Sequence, residues 1–332
     1  MKNGNIVIKA TKQENILVNL AKRVNIKKLV SILLVFGSLF WLVWIIQADI
    51  RNDWKQILPK DYLWAIIALV IGVISQFINV IIFSQFLRID KENFHFFQVS
   101  KLFFTGQIIR YMPGRVWGIF YQVMNASTNT PKKNILQANI ELMFVAFTGL
   151  LTISFSIIIF SLDSWYISIL FFIFGFLFII IVLLKGWLTI ILELADNLLR
   201  RNEERIFFLP LSLNVCLSTV SLFCLSWVIY LFGWLSLGEA GYGGDTTPTT
   251  MLMLASTYSI SWFIGYMSMI TPSGLGVREA SFLLLAQGIA TSSELVLLAI
   301  VVRLWLLLID LILFLTFSPI KPNKNIIENY SQ

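Results

Sequence analysis

Apolar positions along the chain gather into long runs separated by short polar segments, and the runs have the length of membrane crossings. About 20 apolar residues carry a helix across a hydrocarbon core. Runs at 29–46, 62–87, 140–160, 165–184, 211–237, 251–270 and 295–317 each predict a spanning helix, and a shorter run at 277–290 predicts one more. The pattern changes between 94 and 124. There Gln98, Lys101 and Thr105 mark a polar stripe at helical spacing, Gln107 to Gly118 interrupts it, and a second apolar segment follows to Val123. Arg88 and Lys91 precede this region and Lys132 and Lys133 follow it, so both ends point to one membrane face. A re-entrant hairpin fits that placement, and a pair of short spans fits nearly as well. Residues 187–199 carry Glu193 and Asp196 among apolar positions ahead of Arg200, Arg201 and Arg205, as an amphipathic surface helix would.

The expectation is an all-α, polytopic integral membrane helix bundle. It has about eight transmembrane helices, with broken or re-entrant helices in both halves. Residues 1–28 form a basic cytoplasmic segment, 29–318 the transmembrane domain and 319–332 a cytoplasmic tail. The loop Gly238–Pro248 lacks Lys and Arg and is expected outside. The first span, with its basic leader and no small-residue cleavage site, reads as an uncleaved anchor of a multi-pass protein in the cytoplasmic (inner) membrane.

Composition narrows the function classes. Hydrophobic residues make up 58% of the 332 and charged residues 13%, against roughly 25% charged in a soluble domain. The net charge of +7 comes from loops that flank the apolar runs, which points to topology and anionic lipid heads and away from nucleic acid. Cys216 and Cys224 share one apolar run and read as small buried hydrophobes, and His95 has no cluster of carboxylates or thiols beside it. No metal site and no cofactor is expected. The chain shows no Ser-His-Asp set, no phosphate-cradling glycine loop with lysine, and no acidic constellation on a polar loop. No catalytic residue is assigned and no enzyme activity is expected.

Ionisable groups in a bilayer cost roughly 2.5–3.5 kcal/mol each, so each needs a reason. They are Arg110, Arg115, Glu141, Arg278, Glu279, Arg303 and Asp310. Arg278 and Glu279 follow a break in which Pro272 stops a helix while Gly274 and Gly276 permit unusual backbone conformations. A broken helix at membrane depth is tolerated where it lines a wet cavity or is buried in protein. Its N-terminus beside an arginine suits an anionic group. A kinked helix that merely packs tightly is the plainer alternative. The first half has a looser counterpart in Pro113, Gly114 and Arg115, with Arg110 just ahead. Paired interruptions of this kind point to a midplane site.

Neighbours on a helix diverge by about 100°. Arg278 is therefore expected to face a head group while Glu279 pairs with Arg115 or Arg110. Arg303 and Asp310, seven residues apart, share a face of the last span and suit intramembrane ion pairing as well as a transport role. Glu141 is expected at the interface. The Gly114/Gly118 spacing reads as loop rather than as a dimerisation face.

Pro113-Gly-Arg-Val-Trp-Gly118 and Pro272-Ser-Gly-Leu-Gly-Val-Arg-Glu279 resemble the two signature segments of the flippase-like membrane domain. That domain forms the transmembrane region of lysylphosphatidylglycerol synthases and also occurs alone. Trp117 stands where a smaller residue is more typical. The resemblance implies a protein that moves or binds a lipid with a charged or glycosylated head group, such as aminoacyl-phosphatidylglycerol or a polyprenyl-phosphate-linked sugar. The alternative it implies is a non-transporting accessory subunit. That subunit would present a lipid-linked sugar to a glycosyltransferase partner in cell-envelope polysaccharide synthesis. The synthases carry a further aminoacyl-transferase domain. With the last span ending near Phe317, synthesis itself is not expected.

Overall fold

The computed structural model describes residues 58–88, 96–109, 117–125, 132–186, 211–242, 247–268, 274 and 276–318. The expected first span, the surface helix at 187–199 and both terminal segments lie outside them, as do Arg110, Pro113, Gly114, Arg115 and Pro272. The described residues fold into helices: α1 (Tyr62–Phe86), α2 (Phe96–Ile109), α3 (Trp117–Met124), α4 (Lys132–Ser161) and α5 (Trp165–Lys185) in the first part. The second part holds α6 (Leu213–Leu237), α7 (Pro248–Met267), α8 (Val277–Leu285) and α9 (Ser292–Phe317).

Local chemistry sets the ends. Asp61 Oδ1 accepts from the Leu63 amide at 2.8 Å to start α1. Thr247 caps α7 with Pro248 in its first turn, where the missing N–H costs nothing. Thr291 and Glu294 cap α9 reciprocally, the Thr291 amide donating to Glu294 Oε2 at 2.9 Å. The α4–α5 turn is Leu162-Asp163-Ser164, with Asp163 left-handed at φ 58°.

Among the described residues five helices, α1, α4, α5, α6 and α9, are long and apolar enough to cross a membrane, so the chain is a helical membrane protein. The expected count of about eight is not confirmed, and the run at 29–46 lies outside the described residues. The runs at 251–270 and 277–290 become α7 and α8, and neither is among the five. Nine residues make α8 about 13.5 Å long, under half of the roughly 30 Å core. The helix α7 has the length but carries six Ser and Thr residues. Leu254 to Ser261 are buried without a gap, so this stretch of α7 is covered on every face, while Ile264 and Met267 nearer its end are exposed. Its hydroxyls stay satisfied by donating back along the helix: Ser259 to Ala255 O and Ser261 to Thr257 O, both at 2.7 Å.

Two equivalent units emerge. In each, a long helix leads to a helix that folds back into a short one, and a second long helix follows: α1-α2-α3-α4 and α6-α7-α8-α9. The helices α1 and α6 pack against each other and run antiparallel. The Lys60 amide donates to Ala240 O at 2.9 Å at one end, Ser75 meets Ser226 midway, and Gln85 donates to Ser218 Oγ at 2.9 Å at the other. The central contact is reciprocal: Ser75 Oγ donates to Ser226 O at 3.1 Å, or Ser226 Oγ to Ser75 O at 3.3 Å. One turn away, Gly72 of α1 receives Ile309 of α9, and Gly149 of α4 receives Phe223 of α6. The same three-residue step separates Gly72 from Ser75 and Phe223 from Ser226, so glycine and large side chain change places between the halves. The halves thus share one order of helices, and α1 and α6 meet antiparallel through Ser75 and Ser226. Contacts of α4 with α7 and of α2 with α9 complete the interface between them. The helix α5 stands outside both units, packs mainly on α4, and leaves most of its large side chains exposed from Trp165 to Ile181.

Candidate functional site

The α7–α8 hairpin is built on glycine. A Cβ on Gly265 would lie 2.9 Å from Arg278 Cβ, and one on Gly274 would lie 2.8 Å from Gly265 O. Gly274 and Gly276 hold φ 71° and 82°, conformations that cost an L side chain roughly 1–2 kcal/mol. The close approach brings α8 back along α7, with Phe282 packing edge-on to Tyr258 at 5.2 Å between ring centroids. Arg278, the second residue of α8, is thereby pressed onto α7.

Arg278 is 7% exposed, and its guanidinium carbon sits 4.2 Å from the centroid of the Tyr258 ring. Its Nε and Nη2 are buried and have no hydrogen-bond partner among the described residues. These two atoms form the side edge of the guanidinium, whose parallel N–H groups match two oxygens of a carboxylate or phosphate. Stacking on the ring contributes about 2 kcal/mol at best when desolvated. A buried donor left unsatisfied costs about 1–3 kcal/mol, and more when charged. The aromatic wall alone therefore does not balance two such donors, and an oxyanion would.

Glu279 turns to the other side. Its Oε2 accepts from the Gly276 amide at 2.7 Å, and its Oε1 pairs with Arg303 of α9. Both carboxylate oxygens are engaged within the second unit. The expected pairing with Arg115 or Arg110 falls on residues outside the described ones; among the described residues the partner is Arg303. The pair lies deep. Arg303 stands about 17 Å from the start of α9 and about 21 Å from its end, near the middle of a crossing helix. Asp310 is buried two turns further along.

Aromatic rings extend the wall behind Arg278. Trp234 packs on Tyr258 at 5.3 Å, Tyr230 on Trp234 at 6.4 Å, and Trp305 stacks on Tyr230 at 5.9 Å. The reading from sequence did not single out Tyr258. The signal for it was Ser256, Thr257, Ser259 and Ser261 closing around it in an apolar run, the mark of a helical stretch with no lipid-facing side.

The first-half hairpin has the same design with neutral chemistry. A Cβ on Gly118 would strike Gly106 O, so α2 and α3 cross here. Gly118 is a helical contact residue and not the loop residue its spacing suggested. Asn139 of α4 donates to Gln122 Oε1 at 2.7 Å, tying short helix to long helix as Glu279 ties to Arg303.

Glu141 is not interfacial. It is 3% exposed and held by Arg88, whose Nη2 donates to Oε1 at 2.8 Å and Nη1 to Oε2 at 3.2 Å. Gln137 donates to Oε1 at 3.0 Å. Arg88 reaches it by ending α1 in a left-handed turn at φ 51°, which aims the side chain back over α4. Every acceptor there has a partner, so this cluster ties helices together and is not the site. No protein family, curated protein or solved structure matches this chain.

Proposed function

We propose that the chain is a lipid flippase-like membrane protein, which takes up a lipid by an anionic head group and carries it between leaflets. The observation that supports this is the side edge of the Arg278 guanidinium, buried, without a hydrogen-bond partner among the described residues and held at the head of the short helix α8. Soluble anions have no reason to be recognised at the depth of the neighbouring Glu279–Arg303 pair, whereas a lipid head group crossing the bilayer must pass it. In this reading the five long helices cross the membrane together with 29–46, and α2–α3 and α7–α8 enter from opposite faces and return. Both termini then lie in the cytoplasm.

The test uses purified protein in vesicles of zwitterionic lipid with a trace of tail-labelled phosphatidylglycerol. Wild type moves the label between leaflets. Arg278→Ala weakens binding and slows movement by about tenfold or more, the cost of a charge-assisted pair. Its thermal stability is unchanged or raised, because an uncompensated charge has left the core. Arg278→Lys recovers part of the binding, a point charge replacing a fork of donors. Binding without movement in wild type would sink transport and leave the accessory reading, in which the protein presents a lipid-linked sugar to a glycosyltransferase. Equal loss of folded protein in both variants would make Arg278 structural.

A further inference from the structure

The Arg278 site has a charge balance as well as a shape. Its guanidinium carbon lies 4.2 Å from the Tyr258 centroid, and stacking occupies the face of the group while leaving its in-plane N–H groups unused. Nε and Nη2 have no hydrogen-bond partner among the described residues, in a side chain that is 7% exposed. The other charges inside the bundle are matched. Glu279 accepts from the Gly276 amide with one oxygen and pairs with Arg303 through the other. Glu141 is held at both oxygens by Arg88, and Gln137 donates to it as well. Lys101 of α2 and Asp310 of α9 bring one charge of each sign, and each is engaged. Among the described residues inside the bundle, this leaves one positive charge, at Arg278, and no idle carboxylate.

We infer that the head group taken up at Arg278 is a phosphodiester with a single net negative charge. This rests on the head-group reading given above and narrows it. The two non-bridging oxygens of a phosphodiester share one charge, and they match the two parallel N–H groups of the guanidinium edge. A phosphomonoester or a diphosphate brings a second charge, which finds a cation only if Arg303 leaves Glu279. A buried charge without a partner is strongly unfavourable. Lysyl-phosphatidylglycerol or a zwitterionic head group brings an ammonium beside Arg278, with no carboxylate to receive it. A lipid carboxylate has the right two oxygens, but it takes up a proton and loses its charge when water is withdrawn. A phosphodiester is too strong an acid to do so. Two kinds of lipid share the favoured chemistry, phosphatidylglycerol and a polyprenyl-phosphate-linked sugar.

The experiment is competition against tail-labelled phosphatidylglycerol bound to the full chain in detergent, at a mildly alkaline pH where phosphatidate is doubly charged. Unlabelled phosphatidylglycerol and polyprenyl-phosphate-linked mannose are the phosphodiester arms, and the stronger of the two identifies the source. Phosphatidate, polyprenyl diphosphate, lysyl-phosphatidylglycerol and oleate should each compete about tenfold or more less well than that stronger arm. Equal competition by any of the four overturns the inference. Two variants then alter the charge balance itself. Glu279→Gln releases Arg303 as a second cation and should improve phosphatidate relative to phosphatidylglycerol by about tenfold or more. Arg303→Gln releases Glu279 as an acid and should favour lysyl-phosphatidylglycerol by a similar factor. Unchanged selectivity in either folded variant overturns the inference, so one folded variant is enough to decide. Labelled lipid that binds Arg278→Ala as well as wild type overturns the head-group reading and this inference together. Selective binding with no movement between leaflets overturns transport alone, and movement without selectivity overturns this inference alone.

Discussion

Two glycines four positions or fewer from Arg278 separate two physical demands that usually coincide. Gly274 has both a left-handed backbone and a carbonyl 2.8 Å from where a Cβ would sit, whereas Gly276 has the backbone and open space. Gly276→Ala is expected to cost only the conformational strain, roughly 1–2 kcal/mol, and to keep lipid binding. Gly274→Ala must also lift α8 from Gly265, so it loses binding and more stability. Thermal unfolding in detergent with binding of labelled phosphatidylglycerol distinguishes them, and equal losses at both positions would mean that the close approach does not hold the site. At this scale the sequence announced the special positions. Pro272, Gly274, Gly276 and Arg278 stood out as breaks in an apolar run. It did not announce partners: Tyr258 is 20 residues from Arg278 in sequence, and the hydroxyl residues around it mark a buried helix without pointing to the guanidinium that lies on it.

Helices were the most legible level of the chain. Spans read at 62–87 and 165–184 become Tyr62–Phe86 and Trp165–Lys185, because a lipid-facing helix must be apolar along its whole length. The helix α4 starts about two turns earlier than the run at 140–160, since its first residues Lys132 and Lys133 are exposed and Asn134 is polar. Less legible are the elements that protein covers, since hydropathy counts α7 and α8 as two crossings and cannot tell a helix that crosses from one that folds back on its predecessor. The α8–α9 tie is where element packing meets buried charge. Glu279→Gln and Arg303→Gln should each destabilise by roughly 2 kcal/mol, below the 3–5 kcal/mol of a fully buried pair, because Glu279 keeps 28% side-chain exposure. The double variant should lose clearly less than the two together. Additive losses in thermal melts would show that the pair is not a unit and that another group balances one of them.

On the scale of the whole molecule, orientation is the property to measure. A reporter active only outside should be silent at residues 10 and 325 and active within Gly238–Pro248; activity at residue 325 would break the assignment of α7–α8 as a returning hairpin. One helix gives this arrangement its logic. The outlying α5 adds no residue to the site and leaves most of its large side chains exposed. In the reading proposed above, each four-helix unit starts and finishes on the same membrane face, so two of them joined end to end would stand the same way up. One extra crossing turns the second unit over. Without α5, Ser75 and Ser226 could not meet antiparallel, and the seam between the halves would not close. A half-length chain that inserted in both directions would have no need of such a helix, because two of its molecules could pair head to tail. In this chain α5 replaces that accident of insertion with a covalent instruction.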